Sequence, residues 1–199
     1  MKKIISLFQR NYDGDRLVRN EVVPGAEWVL AGEGEATRKW DGTCCLVRDG
    51  KLYKRYEVKP GGKPPTNFEP ANDVDENTGK QQGWLPVGDG PEDKWHREAW
   101  ENQNFERPDA PPIRLPDGTY ELCGPKVQGN PEGEYVTSLV GNKHVLISHG
   151  KYIFGLVGSP RTFDSIKAFL ETNDIEGIVW HHPDGRMVKI KGKDFGLKR

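Results

Sequence analysis

The stretch ATRKWDGTCCLV, from Ala36 to Val47, places one lysine directly before Trp-Asp-Gly and at the start of a strand-like run. Two interpretations of Lys39 are open. It is either an ordinary solvated residue or a nucleophile whose amine attacks a bound substrate. Because Asp-Gly is also a common turn dipeptide, this stretch alone does not decide between them. The decision depends on what the rest of the chain places around the lysine.

The composition excludes a general polyanion binder. The chain has 199 residues, with 29 Lys+Arg, 30 Asp+Glu and a formal net charge of -1. Any contact with nucleic acid must therefore come from a local patch. Residues 186–199 hold six basic and one acidic side chain. That basic end either meets phosphates or is simply solvated.

The apolar pattern contains no candidate membrane segment. No window approaches the roughly 18 apolar residues that a membrane span needs, and the N-terminal apolar run is too short for a signal peptide. The three cysteines, two of them adjacent, do not form a disulfide framework. We therefore expect a soluble, cytoplasmic monomer with no membrane partner.

Residues 59–116 differ from the flanking sequence because they are rich in proline, glycine and asparagine. Such a stretch is typical of a surface excursion. It nevertheless contains Trp84, Trp95 and Trp100, and disordered linkers are poor in aromatic residues. We predict a single domain over residues 1–199 with an ordered insertion at about 59–116.

Short apolar runs separated by turn residues predict mainly strands. Residues 44–58 and 175–192 each predict a β-hairpin, and residues 159–173 predict an amphipathic helix capped by Ser159 or Thr162. Strands outnumber helices, so we predict an α+β fold with antiparallel sheets flanked by helices. Further strand candidates are residues 118–124 and 151–157.

Charged residues on these strands form a second pattern. Because side chains alternate along a strand, Lys189 and Lys191 share one face of theirs, and Glu176 is predicted to share a face with Ile178. Glu121 lies in another apolar strand. Lysines on antiparallel sheets usually face water, and spacing alone favours that interpretation.

The five histidines show no spacing typical of a metal site. We expect His144 and His149 to be structural or peripheral. His181 and His182 lie in the predicted hairpin turn, where we expect them to face solvent.

The order of these elements resembles that of the covalent nucleotidyltransferases, which include ATP-dependent DNA and RNA ligases and GTP-using capping enzymes. The chain offers Lys-x-Asp-Gly, an arginine on the next strand, Glu121, an aromatic strand, Glu-Gly-Ile-Val and Val-Lys-Ile-Lys. Over residues 11–197 it looks more narrowly like the single-domain ATP-dependent 5′-to-3′ RNA ligases. The segments that carry this resemblance are ATRKWDGTCC, GWLPV, GNPEG, KHVLISHG and DIEGIVWHHPDGRMVKIKGKDFGL.

The resemblance implies auto-adenylylation. Lys39 would attack ATP and carry AMP as lysyl-AMP, in an enzyme that joins a 5′-phosphate to a 3′-hydroxyl RNA end during RNA repair. Glu176 and Glu121 would hold Mg²⁺ or Mn²⁺, and Glu121 also resembles the ribose-binding glutamate. The implied nucleotide-binding residues are Thr37, Asp41, Gly42, Arg55, Glu121, Phe154, Lys189 and Lys191, with Tyr152 as an alternative to Phe154 for stacking on adenine.

Departures from the wider superfamily leave other functions open. Many DNA ligases and capping enzymes carry an arginine where this chain has Cys44, and they append an oligonucleotide-binding barrel after the last lysine motif. Eight residues follow Lys191, so we expect no C-terminal barrel of that kind. The alternatives are a DNA ligase, a GTP-dependent capping-type enzyme, or a non-catalytic module that binds nucleotide or RNA.

Overall fold

The computed structural model describes residues 4–149, 158 and 160–199. This part of the chain forms two compact units, one of residues 41–149 and one of residues 4–40 with the C-terminal segment. The boundary falls between Trp40 and Asp41, inside the Lys-x-Asp-Gly motif.

The strands, in chain order, are β1 (Ile5–Ser6), β2 (Phe8–Arg10), β3 (Val18–Val22), β4 (Glu35–Lys39), β5 (Thr43–Arg48), β6 (Lys51–Val58), β7 (Glu69–Pro70), β8 (Gln81–Pro86), β9 (Phe105–Arg107), β10 (Ala110–Ile113), β11 (Gly118–Cys123), β12 (Val145–Ser148), β13 (Gly177–His181) and β14 (Met187–Lys191). The helices are α1 (Glu27–Leu30), α2 (Lys94–Gln103), α3 (Gly133–Val140) and α4 (Phe163–Thr172), with short 3₁₀ turns at Pro91–Asp93 and Gly192–Phe195.

The unit of residues 41–149 is built on a six-stranded antiparallel sheet in the order β12-β11-β5-β6-β8-β7. β5 and β6 form the hairpin predicted over residues 44–58. Asp49 and Gly50 at its turn both have positive φ, 51° and 69°, as a two-residue turn matching the strand twist requires. β9 and β10 pair separately.

One face of this sheet carries the core of the unit. Cys45 lies opposite Tyr120 in the register of β5 and β11, and both are buried. α2 packs against the same cluster through Ala99, with Trp95 and Trp100 partly buried beside it. The removal of this apolar surface from water is the main term that stabilises the unit.

The proline- and glycine-rich segment at residues 59–116 belongs to this unit and supplies β7 to β10 and α2. β8 pairs with β6 on one side and β7 on the other, and its Trp84 is 7% exposed. Lys54 of β6 forms an ion pair of 2.5 Å with the buried Asp93, the residue before α2. The segment is thus folded into the sheet and core of the unit.

The other unit is built on a four-stranded sheet in the order β1-β14-β13-β4. β1 runs parallel to β14, and the remaining neighbours are antiparallel. β13 and β14 form the hairpin predicted over residues 175–192, closed where the His182 N–H donates to the Arg186 carbonyl at 2.9 Å. β2 and β3 form a separate antiparallel pair.

α4 is the predicted amphipathic helix. Its cap is Thr162, whose hydroxyl accepts from the Ser165 N–H while the Ser165 hydroxyl accepts from the Thr162 N–H, so the two form a reciprocal capping box. Ile166 and Leu170 are buried in a core cluster that also contains Trp180 of β13. The helix therefore covers the apolar face of the four-stranded sheet.

These elements confirm an α+β fold with antiparallel sheets and few helices. The strand predicted at residues 151–157 lies outside the described residues. None of the described helices combines the length and apolar character needed to cross a bilayer.

Ile166 is fully buried, so the Ile166→Ala substitution should leave a cavity and lower the free energy of unfolding by about 2–5 kcal/mol. Urea unfolding followed by circular dichroism measures this change. Lys167→Ala, on the same helix but with a side chain 45% exposed, is the matched control and should change stability by less than about 0.5 kcal/mol. Equal losses for the two variants would contradict the core assignment.

Candidate active site

Two strand pairings bring the predicted lysines onto one face of the four-stranded sheet. Lys39 at the end of β4 and Lys191 at the end of β14 both lie opposite Gly177 of β13. Lys189 lies opposite Val179 in the same register. Directly opposed residues point to the same side of a sheet. The three lysines, Lys39, Lys189 and Lys191, therefore share a face that we call the lysine face.

The opposite side of β14 belongs to the core, as alternation predicted. Val188 and Ile190 are 1% and 0% exposed. The interpretation that the lysines of β14 face open water is wrong, because Lys189 is half-buried and the Lys191 side chain is 19% exposed. These cations lie in a partly desolvated environment.

Glu176 bridges two of the lysines. One carboxylate oxygen accepts a hydrogen bond from Lys39 Nζ at 2.5 Å, and the other is ion-paired with Lys191. Burial acts to raise the pKa of Glu176, but the charge of Lys39 and the hydrogen bonds from Lys191 and Lys39 outweigh it and hold the pKa below its usual range. Glu176 is therefore an ionised carboxylate engaged on both oxygens.

The orientation of Glu176 differs from the prediction. Alternation placed its side chain with Ile178, which is fully buried, yet the carboxylate reaches the lysine face instead. Glu176 precedes β13 by one residue, so the strand does not fix its direction. The next residue, Gly177, approaches β14 so closely that a Cβ there would overlap the Ile190 carbonyl oxygen. A side chain at position 177 would disturb this arrangement.

The pKa of Lys189, on the lysine face, is clearly lowered. Burial, together with repulsion from Lys191 and Lys39, lowers the pKa of Lys189 to about 8. The nearby carboxylates of Asp194 and Glu176 act in the opposite direction but do not restore the ordinary value. Near neutral pH this lysine is a cation that gives up its proton easily.

Thr37, one of the predicted nucleotide-binding residues, is buried on β4. Its hydroxyl donates to the Val179 carbonyl at 3.2 Å and lies 2.9 Å from Nε2 of His181. The expectation that His181 and His182 face solvent is wrong. His181 contacts Thr37, and the His182 side chain is 15% exposed and lies 2.9 Å from Glu33.

In the unit of residues 41–149, Glu121 organises a second group of candidate residues. It lies on β11 opposite Cys44 of β5 and is 9% exposed. Its Oε1 accepts the Gly42 N–H at 3.1 Å, and its Oε2 lies 2.9 Å from Nε2 of His149. His149, expected to be structural or peripheral, is thus a direct partner of the predicted ribose-binding glutamate.

The Asp-Gly part of the motif is held by carboxylates through its backbone. Glu132, only 2% exposed, accepts the Asp41 N–H at 3.1 Å, next to the bond from Gly42 to Glu121. A Cβ on Gly42 would overlap the Leu122 carbonyl oxygen, so this close approach requires glycine. The sequence alone predicts no role for Glu132, although it lies in GNPEG, one of the segments that carry the resemblance to the RNA ligases.

Arg55, the remaining predicted residue of this unit, lies exposed on β6, and its Nε donates to Gln82 at 2.9 Å. The register pairs Glu121 with Cys44 and the next residue, Cys45, with Lys54. Arg55 therefore points to the same face of the six-stranded sheet as Glu121.

The structure thus groups the predicted residues within each unit. Phe154 and Tyr152, the two candidates for stacking on adenine, lie outside the described residues. One unit brings together Thr37, Lys39, Glu176, Lys189 and Lys191, and the other brings together Asp41, Gly42, Glu121 and, on the same sheet face, Arg55.

Comparison with known proteins identifies the family. The family model described as RNA ligase 1 matches residues 66–199, more than half of the chain. The chain belongs to the RNA ligase 1 family. Curated relatives named RNA ligase 1 are 27% identical from Mus musculus, 28% from Pongo abelii and 26% from Danio rerio. The first two alignments cover 81% of this chain and the third 82%, and each covers 67% of the relative.

The region matched by the RNA ligase 1 family model includes five of the predicted residues: Glu121, Phe154, Glu176, Lys189 and Lys191. Lys39 and Arg55 precede residue 66, where the match begins. Lys39 is therefore linked to the matched region by contacts in the folded structure. Its side chain is ion-paired with Glu176, and its strand is paired with β13.

Lys189→Met should stabilise the protein at pH 7, because it removes a partly buried charge and keeps the aliphatic stem. The pKa of Lys189 is about 8 when folded against an ordinary 10.5. Between these values the unfolded chain holds more protons, so wild-type stability rises with pH. The gain should be about 1–2 kcal/mol at pH 7, roughly half the full linkage value to allow for solvent screening, and should vanish near pH 10.5.

Urea unfolding of both proteins at a series of pH values measures this gain. Lys198→Met, at an exposed position, is the control and should show no such dependence. A gain from Lys189→Met that is independent of pH would mean that lost strain, rather than the charge, explains it.

Proposed function

We propose that this member of the RNA ligase 1 family is an ATP-dependent RNA ligase that joins a 5′-phosphate to a 3′-hydroxyl RNA end and acts in RNA repair. The observation that carries the proposal is the bridge from Lys39 through Glu176 to Lys191, on the face that also holds Lys189. Three partly buried cations on one face are unfavourable unless charge of opposite sign compensates them. A bound polyphosphate would supply that charge.

In the proposed first step, the neutral amine of Lys39 attacks the α-phosphorus of ATP. A nitrogen–phosphorus bond forms, the bond from that phosphorus to the bridging oxygen of the β-phosphate breaks, and pyrophosphate leaves. The nitrogen gives one proton to solvent as the phosphoramidate forms and keeps one N–H. The product is lysyl-AMP at Lys39.

Glu176 is assigned to positioning rather than to proton removal. Its carboxylate lies 2.5 Å from Lys39 Nζ and fixes the direction of that side chain. Its pKa is held below the usual range by Lys39 and Lys191 against the effect of burial, so it is a weak base. Before Lys39 attacks, the ion pair must open and the ammonium must give one proton to solvent, because an ammonium group has no lone pair.

Lys189 and Lys191 are assigned to the phosphate oxygens, where charge develops as the bonds exchange. Preorganised cations at such a place stabilise the transition state more than the ground state. Lys191 is already held by Glu176, and the lowered pKa of Lys189 lets it accept or release a proton near neutral pH.

Glu176 and Glu121 are each assigned to Mg²⁺ or Mn²⁺, and Glu121 is also assigned to the ribose of ATP, as the resemblance implies. Magnesium suits one or two carboxylates together with phosphate and water oxygens, and Glu176 is ionised as such a ligand must be. When bound, the ion supplies positive charge to phosphate oxygens. The roles of Thr37, Asp41, Gly42, Arg55 and Phe154 toward the nucleotide are proposed from the resemblance.

Two further steps complete the proposed reaction. An oxygen of the RNA 5′-phosphate attacks the phosphorus of lysyl-AMP, the nitrogen–phosphorus bond breaks, and Lys39 is released as an amine. The RNA then carries an adenylylated 5′ end. The 3′-hydroxyl of the other RNA end attacks the 5′-phosphorus, a phosphodiester forms, and AMP leaves.

Incubation with α-labelled ATP and Mg²⁺ should leave label on the wild-type protein, because the nucleotide becomes covalently attached to Lys39. Lys39→Ala should reduce the label to background, and Lys198→Ala, at an exposed lysine, should keep it. Denaturing electrophoresis measures the label, and circular dichroism confirms that both variants are folded. Label retained by a folded Lys39→Ala protein would overturn the assignment of the nucleophile.

The proposed substrate predicts that the protein seals a 5′-phosphate, 3′-hydroxyl RNA pair faster than a matched nicked DNA. Gel analysis of the joined product with each substrate measures the ratio. Replacement of labelled ATP by labelled GTP should give little adduct. Preferential sealing of DNA would favour a DNA ligase, and preferential transfer of GMP would favour a capping-type enzyme. Nucleotide binding without pyrophosphate release would favour a non-catalytic module.

A further inference from the structure

Three potential metal-ligand atoms converge on the side of the six-stranded sheet that carries Glu121. Cys44 comes from β5, Glu121 from β11, and His149 directly follows β12. The thiol sulfur, a carboxylate oxygen and an imidazole nitrogen lie within 4.8 Å of one another. Within the described residues, these side chains meet from three separate elements, so the fold rather than local sequence brings them together.

The strand pairing fixes the positions of all three residues. Cys44 and Glu121 are directly opposite in the antiparallel register, so their side chains share a face. The His149 N–H donates to the Thr119 carbonyl at 3.0 Å, which holds its backbone beside β11. The other two cysteines, Cys45 and Cys123, are buried, whereas Cys44 is partly accessible.

The Glu121 carboxylate is oriented by a backbone donor at one oxygen and faces His149 with the other. Its Oε1 accepts the Gly42 N–H at 3.1 Å, and its Oε2 faces Nε2 of His149 at 2.9 Å. A backbone donor that fixes one oxygen is the kind of outer contact that orients metal ligands. The side chains of Glu121 and His149 are 11% and 29% exposed, so an ion from solvent has access.

We propose that Cys44, Glu121 and His149 form a binding site for a soft divalent cation of the zinc class. Thiolate, imidazole and carboxylate together suit Zn²⁺, whereas Mg²⁺ takes oxygen ligands. A tetrahedral ion with bonds of about 2.0–2.3 Å separates its ligands by about 3.4 Å, which small side-chain movements reach from the observed spacing. The fourth position is open to water.

Binding at this site exchanges a proton for the metal. The Cys44 thiol gives its proton to solvent as the sulfur–metal bond forms, and His149 binds as neutral imidazole through Nε2. The contact between His149 and Glu121 is replaced by bonds from each to the ion. No change of oxidation state is involved.

The consequence for catalysis rests on the proposed function, in which Glu121 binds the ribose of ATP. An ion that occupies Glu121 removes that carboxylate from the nucleotide. Zn²⁺ would then compete with ATP, while Mg²⁺, which takes oxygen ligands, would use the Glu121 carboxylate without Cys44 and His149. The site would make adenylylation sensitive to soft divalent cations.

Titration of the whole protein with Co²⁺, without nucleotide, tests the site independently of any activity. Wild type should develop a sulfur-to-cobalt charge-transfer band that saturates at one Co²⁺ per chain and is abolished by Zn²⁺ but not by excess Mg²⁺. Cys44→Ser should lose the band, although Cys45 and Cys123 remain. His149→Ala should keep a weaker band, with affinity reduced on the order of tenfold or more.

His182→Ala is the matched control, because His182 also lies beside a carboxylate, Glu33, but outside the cluster. It should bind Co²⁺ as wild type does. Circular dichroism checks the fold of each variant, and His149→Ala keeps the test decisive if Cys44→Ser does not fold. The absence of a protein-dependent band, or a band unchanged in the folded Cys44→Ser or His149→Ala protein, would overturn the proposed site.

Adenylylation of wild type and Cys44→Ser, each measured with and without Zn²⁺, tests the competition. Zn²⁺ should reduce the wild-type signal in a manner that added ATP relieves, and should reduce the Cys44→Ser signal several-fold less. Equal inhibition of both proteins would overturn the competition. If wild type forms no adduct even without Zn²⁺, the proposed function fails while the Co²⁺ result still decides the site.

Discussion

The Glu176 carboxylate is the constraint on which the arrangement of the lysine face depends. It sets Lys39 of β4 and Lys191 of β14 around one negative charge, with Lys189 nearby. Without that charge, three partly buried ammonium groups would repel one another in a region of reduced dielectric. Burial and the other two lysines lower the pKa of Lys189 to about 8, although Asp194 and Glu176 act in the opposite direction. The two carboxylates therefore offset burial and repulsion only in part.

The two halves of the Lys-x-Asp-Gly motif are anchored separately, each within its own unit. On one side of the peptide bond between Trp40 and Asp41, the lysine is held by Glu176. On the other side, the N–H of Asp41 is held by Glu132 and the N–H of Gly42 by Glu121. Three acidic residues, distant from the motif in sequence, therefore fix both of its ends. The Lys-x-Asp-Gly sequence alone therefore does not reveal how its residues are held, because their partners lie elsewhere in the chain.

Much of this arrangement could be predicted from local periodicity and motif order. Alternation along β14 correctly separated Lys189 and Lys191 from the core residues Val188 and Ile190, since the period of a strand is fixed by its backbone. The capping of α4 by Thr162 and the hairpin turn at Asp49 and Gly50 also follow from local chemistry. The order of the charged residues indicated the family, which the matching family model confirms.

The rest could not be predicted, because it depends on contacts between residues far apart in the chain. Glu176 lies one residue outside β13, where alternation no longer applies, so only the folded position of its two lysine partners sets its direction. The sequence predicts a structural or peripheral role for His149, because histidine spacing indicates a candidate metal site only where the ligands are close in sequence. Its partners, Cys44 and Glu121, are joined to it by the register of three strands. Sequence periodicity specifies on which face of a strand a side chain lies. Strand order and register specify which side chains come into contact on that face, and the chemistry of the site depends on those contacts.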